Sequence, residues 1–585
     1  MADEFELRYL VQRSGKAGGE QVLEEPPRTA ISWLGQIVSR ETVEQIAMAI
    51  ILAFLFRAFL AEAFIIPTGS MAPTLMGRHV DLACPQCGHR FEGGASGEEP
   101  QDPRQQPRSA IASFCNNCRY LYPLDPAGEA VHRSYSGDRI LVSKLAYGFR
   151  DPKRWDVIVF KFPDDAKQNY IKRLIGLPNE LITIFGGDIY TGKSEQTLAD
   201  IARKPPAKIK AMLQLVHDTK HAPAALYQAG FPLRWQPQSA NWKSSSDGKS
   251  FVLASATKET SWLYYQHILP SPADWKAVTE KKSLEQRVRN PRLITDFYAY
   301  NAHVDHPTQD VFNGSFRPGW DNSEIGEVTG SFWVGDLAVA ADIELAGSQG
   351  DVVLELIEAG RHHTCRVDVS SGVASLQIDR GEVAFEQGAT VATGQTSLQG
   401  AGRYRLRLAN VDNRLVFWVN DKVVKFDTQT DYHVPPREEI PKYSSNDPGD
   451  LAPARVGVAN APLTVHRLQV MRDVYYIATD VNSPMQEYDP AVTQHNIFQA
   501  FSRPELWETS QVFRGRRAIH FKLEEDQFFP MGDNSPQSYD GRSWIGGNFV
   551  ERRLLIGKAL AVFWPHTLRR PVPFVPNFRR MRWIR

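Results

Sequence analysis

Residues 169–190 read NYIKRLIGLPNELITIFGGDIY. Tyr170, Ile171, Leu174 and Ile175 make an apolar strand around one lysine, Lys172. A strand lysine ordinarily turns outward into water, so a lysine in such company asks for a reason. Strand character extends far downstream. Residues 330–346, 352–357, 365–368, 374–379, 404–408, 415–419, 422–426 and 455–470 are short apolar or alternating runs separated by Gly, Asn and Asp turns. Asn420-Asp421 is a two-residue hairpin signal. This pattern predicts a β-sandwich and a mainly β chain. Helical patterning is confined to a few segments, among them residues 208–219, KIKAMLQLVHDT.

The chain has 585 residues, which at about 150 per domain predicts three to five domains. Lys plus Arg and Asp plus Glu each total 67, which excludes a globally basic nucleic-acid binder and an acidic tail. Five cysteines exclude a disulfide-dense scaffold. A mean hydropathy of −0.36 leaves room for one membrane segment but not for many.

That segment is residues 46–66, IAMAIILAFLFRAFLAEAFII, apolar except for Arg57 and Glu62. Its length suits a bilayer-spanning helix, with Arg57 snorkelling and Glu62 in the interface. We expect an anchor over 44–64 after a polar leader, 1–43. A buried core helix and a removable signal peptide ending near Ala61-Glu62-Ala63 are the competing readings. The long acidic leader is unlike a signal-peptide n-region.

Residues 64–75, FIIPTGSMAPTL, follow at once and hold Ser70 on a kinked extended segment between two prolines. Serine needs a neighbouring base to become a nucleophile. Residues 137–163, GDRILVSKLAYGFRDPKRWDVIVFKFP, then 169–190, then 528–550, FFPMGDNSPQSYDGRSWIGGNFV, complete a series of blocks. In this order after an apolar segment, they resemble bacterial type I signal peptidases, membrane-bound Ser/Lys endopeptidases that remove signal peptides. The resemblance covers 44–83, 134–190 and 525–565.

The resemblance implies Ser70 as nucleophile and Lys172 as general base, with burial among apolar neighbours favouring the neutral amine. It implies an oxyanion site from the Ser70 backbone N–H and the Thr68 hydroxyl. It makes Ser538 the hydroxyl that orients the amine, and Arg173–Asp533 and Asp540–Arg542 structural ion pairs. Phe64, Ile66, Pro67, Met71, Leu75, Tyr170 and Ile171 are expected to bind an extended substrate with small residues before the cut. Two departures stand out. Asn179-Glu180 replaces the family's Gly-Asp, which Asn accommodates by tolerating a positive φ. Ser535-Pro536-Gln537 replaces a charged triplet.

Two insertions enlarge this peptidase. The first, 84–133, carries Cys84-x-x-Cys87 and Cys115-x-x-Cys118, spaced as a zinc-ribbon-like module with a structural zinc, disulfides being the alternative. Catalysis itself calls for no cofactor. The second insertion holds a helical connector, 191–239, and a sandwich, 240–472, whose RLRLANVDNRLVFWVNDKVV is similar to laminin-G or concanavalin-like jelly rolls. A glycan or protein ligand is the partner such a sandwich implies. His362, His363 and Cys365 read as surface and core residues of a strand rather than a metal site. The peptidase then comprises 65–83, 134–190 and 473–568. The tail, 569–585, mixes basic and aromatic residues, which suits anionic lipid better than nucleic acid.

The expected activity is removal of signal peptides from secreted preproteins at the extracytoplasmic face of the cell membrane. Two rival readings are a Ser/Lys self-cleaving regulator and a membrane-tethered binding protein with a vestigial peptidase.

Overall fold

The computed structural model describes residues 40–100, 104–193, 200–255, 257–284, 288–312, 330–481, 484–567 and 575–584. Most of the leader and residues 569–574 and 585 of the tail lie outside them. The chain divides into two units, at Leu60 and Ala61.

In the first unit, Arg40–Leu55 is an α-helix that runs into a π-helical turn, Phe56–Leu60. Ile46, Met48, Ile50, Ile51, Leu52, Phe54 and Leu55 are all exposed. No helix among the described residues is long and apolar enough to cross a membrane. The helix expected over 44–64 ends at Leu60 instead, for a physical reason. Ala61–Ile65 is a strand paired antiparallel to Arg139–Ser143, which no helix can supply. Glu62, expected in a lipid interface, lies 2.8 Å from Lys144 Nζ.

The second unit is mainly β, as expected, and built from several sheets. One sheet orders Ala61–Ile65, Arg139–Ser143, Leu555–Trp564, Val157–Phe162, Asp165–Gly176, Gln527–Met531 and Val550–Glu551, drawing neighbours from the two ends of the chain. A smaller sheet contains Leu181–Phe185, Asp188–Gly192 and Ile519–Lys522. The turn before it keeps its shape without the glycine, because Asn179 adopts φ 64°. Glu180 accepts from Leu177 N at 2.8 Å and from Arg154 at 2.5 Å.

Two further antiparallel sheets enclose one apolar core. Leu337–Leu345, Gly402–Asn410, Leu415–Val419 and Leu463–Arg472 lie in one; Ala454–Ala459, Asp351–Glu358, Arg361–Asp368 and Val373–Ile378 lie in the other. Val339, Leu408, Phe417 and Val465 meet Leu354, Cys365, Leu376 and Val456 in that core. Asn420 and Asp421, at φ 50° and 64°, turn the expected hairpin. His363 and Cys365 are buried, while His362 pairs with Glu355 and Asp447 at 3.1 and 2.7 Å, in keeping with the strand reading.

Two element assignments are corrected. The run 455–470 is two strands on opposite sheets, Ala454–Ala459 and Leu463–Arg472, because Asn460 (φ 57°) and Pro462 break it. The helix expected over 208–219 stops at Met212; Gln214–Asp218 instead pairs with Leu463–Arg472. Pairing there satisfies backbone groups that a lone helical turn would leave open.

Candidate functional site

Pro67 holds Ile66 and Thr68 extended, and the chain then tightens into a 3₁₀ turn, Gly69–Met71, that presents Ser70. Lys172 lies on Asp165–Gly176, in the half of that strand that is buried. Lys172 Nζ lies 2.7 Å from Ser70 Oγ, within hydrogen-bond reach. Both residues are buried. Burial pushes the Lys172 amine down to about 8, with Asp540 and Asp533 opposing the shift and Arg542 assisting it.

Beyond them opens a cleft of about 200 Å³, lined by Ile66, Pro67, Thr68, Tyr170, Ile171 and the two residues above, with Asn169, Gln537 and Tyr539. Along Asn169–Lys172 one edge of the strand pairs with Val157–Phe162. The other edge has no partner strand among the described residues; Gln527–Met531 pairs only from Arg173 onward. Four of the seven expected substrate residues, Ile66, Pro67, Tyr170 and Ile171, line this cleft. Phe64, Met71 and Leu75 do not. Met71 and Leu75 are completely buried and pack with Ile140, Val142 and Val159, and Phe64 packs against the same cluster. A strand's inward residues serve the core first, and sequence alternation alone does not separate core from pocket.

The expected ion pairs are present and fully buried. Arg173 donates to both carboxylate oxygens of Asp533 at 2.6 Å, and also to Trp155 O at 2.8 Å and Thr74 Oγ1 at 3.3 Å. Asp540 accepts from Arg542 at 2.8 and 2.9 Å and from Gly532 N at 2.9 Å. Arg542 then reaches the Ile477 and Ser535 carbonyls at 3.0 and 2.8 Å. Gly532 is required here, because a Cβ would come within 2.2 Å of Ser538 Oγ and 2.3 Å of the Ser70 carbonyl. Ser538 is buried, and its hydroxyl lies beside the Asp540 carboxyl, which it helps hold below the usual carboxylate range, rather than bonding Lys172.

Several supports of the turn bearing Ser70 were not singled out from sequence. Asn534 N donates to Ser70 O and Asn534 Nδ2 to Gly69 O, both at 3.0 Å. Asn534 exchanges two amide hydrogen bonds with Asn301, at 2.6 and 2.8 Å. The neighbouring Tyr300 ring covers Gly69 so closely that a Cβ there would lie 2.1 Å from it. Arg582, from the basic tail, donates to the Pro73 and Thr74 carbonyls at 2.9 Å each, and Arg580 pairs with Glu92 and Asp138. These two tail arginines are therefore engaged within the protein. Asn534 sat inside the Gly-Asp-Asn block; nothing local marks Asn301.

The four cysteines come together as expected. Sγ of Cys84 and Cys118 are 3.5 Å apart, and Sγ of Cys87 and Cys115 are 3.7 Å apart. All four lie within 4.8 Å of one another. Sulfurs bound at about 2.3 Å to one tetrahedral zinc lie about 3.8 Å apart, whereas a disulfide needs about 2.05 Å. The two knuckles are alike: Gly88 N bonds Cys84 O and Arg119 N bonds Cys115 O, with φ of 68° and 61°. The donor set fits a structural metal. Trp275, Leu226 and Phe231 share the module's core, and Asn116 Oδ1 accepts from Ala299 N at 2.8 Å.

Comparison with known proteins follows the same geography. The family described as "Signal peptidase, peptidase S26" matches residues 123–228 and 451–564, which include Lys172, Asp533 and Ser538. Signal peptidase I of Pseudomonas fluorescens is 41% identical over 69 residues, 10% of this chain and 24% of its own. Signal peptidase I of Leptolyngbya laminosa is 34% identical over 86 residues, covering 14% and 40%. That of Rickettsia prowazekii is 27% identical over 158 residues, covering 26% and 45%. The chain thus spans less than half the length of these curated relatives. Among solved structures, a carbohydrate-binding module of Bacillus subtilis aligns with 40% of this chain and 95% of its own at 11% identity and a TM-score of 0.20. A Caenorhabditis elegans galectin aligns with 23% and 83% at 8% identity and 0.16. Scores of that size carry no argument.

Proposed function

We propose that this chain is a membrane-associated serine endopeptidase that removes signal peptides from exported preproteins by a Ser70–Lys172 dyad. The observation that carries the reading is the 2.7 Å approach of Lys172 Nζ to Ser70 Oγ at the wall of a cleft beside an unpaired strand edge. With its pKa near 8, the buried amine is neutral often enough to take the Ser70 proton as Oγ attacks the scissile carbonyl. The resulting ammonium protonates the leaving amine, and the same amine then activates water for deacylation. The Ser70 N–H and the Thr68 hydroxyl stabilise the oxyanion. Substrate adds as a strand along Asn169–Lys172, and the shallow cleft between Ile66 and Tyr170 takes small side chains.

Similarity to signal peptidase I over the matched segments supports the substrate class. The exposed apolar side chains of Arg40–Leu55 support membrane association, with the catalytic unit on the extracytoplasmic face. The peptidase is assembled from 65–83, 134–190 and 473–568, interrupted by a zinc-ribbon-like module and a jelly-roll-like sandwich. Cys84, Cys87, Cys115 and Cys118 would hold a zinc whose chemistry is a cross-link between two knuckles, outside the catalytic cycle.

Purified full-length protein in detergent should cut a preprotein at its signal peptide. Ser70→Ala and Lys172→Ala should each lower that rate by about 10²–10⁴ or more. Wild-type cleavage by either variant refutes the dyad.

A further inference from the structure

We propose that His79, Asp81 and His566 form a second metal site, separate from the four cysteines, for a divalent transition ion of the zinc class. His79 and Asp81 are alternate residues of the strand His79–Ala83 and so share a face. His566 reaches them from just beyond Leu555–Trp564. His79 is 0% and His566 2% exposed.

The case rests on one imidazole. His79 Nδ1 is 2.7 Å from the Gly77 carbonyl oxygen, which can only accept, so Nδ1 carries the ring proton. Nε2 therefore presents a lone pair, and it is buried without a hydrogen-bond partner. The atom it faces, 3.5 Å away, is Oδ1 of Asp81. Two acceptors facing each other, one of them a fully buried ring nitrogen, call for a cation between them. The other carboxylate oxygen of Asp81 lies 2.8 Å from His566 Nε2. One ligand atom from each of the three residues falls within 4.8 Å of the others. Nitrogen and oxygen ligands at 2.0–2.2 Å from a tetrahedral ion lie about 3.3–3.6 Å apart, which the 3.5 Å His79–Asp81 spacing meets and the 2.8 Å His566–Asp81 contact would have to lengthen to reach.

The Tyr135 ring stacks on His566 at 4.1 Å and fixes its plane. The nearby Arg580 is neutralised by Glu92 at 3.1 Å and Asp138 at 2.7 Å. Asp81 lines an open cleft of about 380 Å³, which gives an ion a way in and room for a water ligand. Two imidazoles and one carboxylate select zinc, cobalt or nickel over magnesium or calcium.

Full-length protein stripped by a chelator and titrated with Co²⁺ tests the assignment. We expect one bound equivalent without thiolate-to-cobalt charge-transfer bands, beside any equivalent that shows them. His566→Gln and the more exposed change Asp81→Asn should each abolish the first and leave the thiolate bands intact. Cys84→Ser should do the reverse. Wild-type protein with no thiolate-free equivalent, or both variants still binding it, overturns the proposal. The intact thiolate bands report that each variant has folded, and failure of the cysteine site would leave the thiolate-free signal in place.

Discussion

The sheet that carries Lys172 and the sandwich are both antiparallel β-structures with apolar cores, yet what lies at the centre of each differs. Around Ser70 the interior holds Lys172, Arg173, Asp533, Asp540 and Arg542, all buried. The sandwich interior is a layer of Val, Leu, Ile, Phe and Ala from two facing sheets. Buried ions are a poor way to gain stability and a good way to fix positions, since each must be met by a specific partner. Apolar layers stabilise through area and tolerate some repacking. The contrast separates a region selected for geometry from one selected for holding together.

The sharpest way to break that contrast is at the amine itself. Lys172→Met keeps a chain of similar size, and preprotein cleavage should fall by about 10²–10⁴, with little change in thermal unfolding. The pH profile sharpens it further. The proposed mechanism needs the neutral amine, whose pKa lies near 8, so kcat should rise as pH increases through about 8 and level off above. A profile flat from pH 6 to 10 would detach the rate from Lys172.

Next in size, Asp533→Ala takes the carboxylate away from the buried Arg173 guanidinium, at a cost of about 3–5 kcal/mol in denaturant unfolding, with activity lost alongside. In the sandwich, Leu376→Ala should cost a comparable 2–5 kcal/mol while the folded fraction keeps its kcat. The smallest effect belongs to the sandwich surface. Arg405→Ala removes the exposed pair with Asp342 and should shift stability by no more than about 1 kcal/mol.

The parts of this architecture legible in sequence were those with local signatures. Alternation between Gly, Asn and Asp turns located most sandwich strands, and Asn420-Asp421 located a hairpin to the residue. The Cys-x-x-Cys pairs met as their spacing implied. Ser70, Lys172, Arg173, Asp533, Asp540 and Arg542 were found through blocks of sequence, and the structure brings them together. What stayed hidden depends on partners far along the chain. The strand Ala61–Ile65 reads as the end of an apolar helix until Arg139–Ser143 is beside it. Met71 and Leu75 read as pocket until the core claims them. Asn301 carries no motif, because its meaning lies in a contact with Asn534.

That contact sets a schedule. The turn bearing Ser70 is closed by Asn534, which is 465 positions from Gly69, and Asn534 is held in turn by Asn301, 233 positions before it. A ribosome reading toward the C-terminus delivers Ser70 hundreds of residues before its clasp. Until then the turn that carries Ser70 waits, synthesised but unclasped.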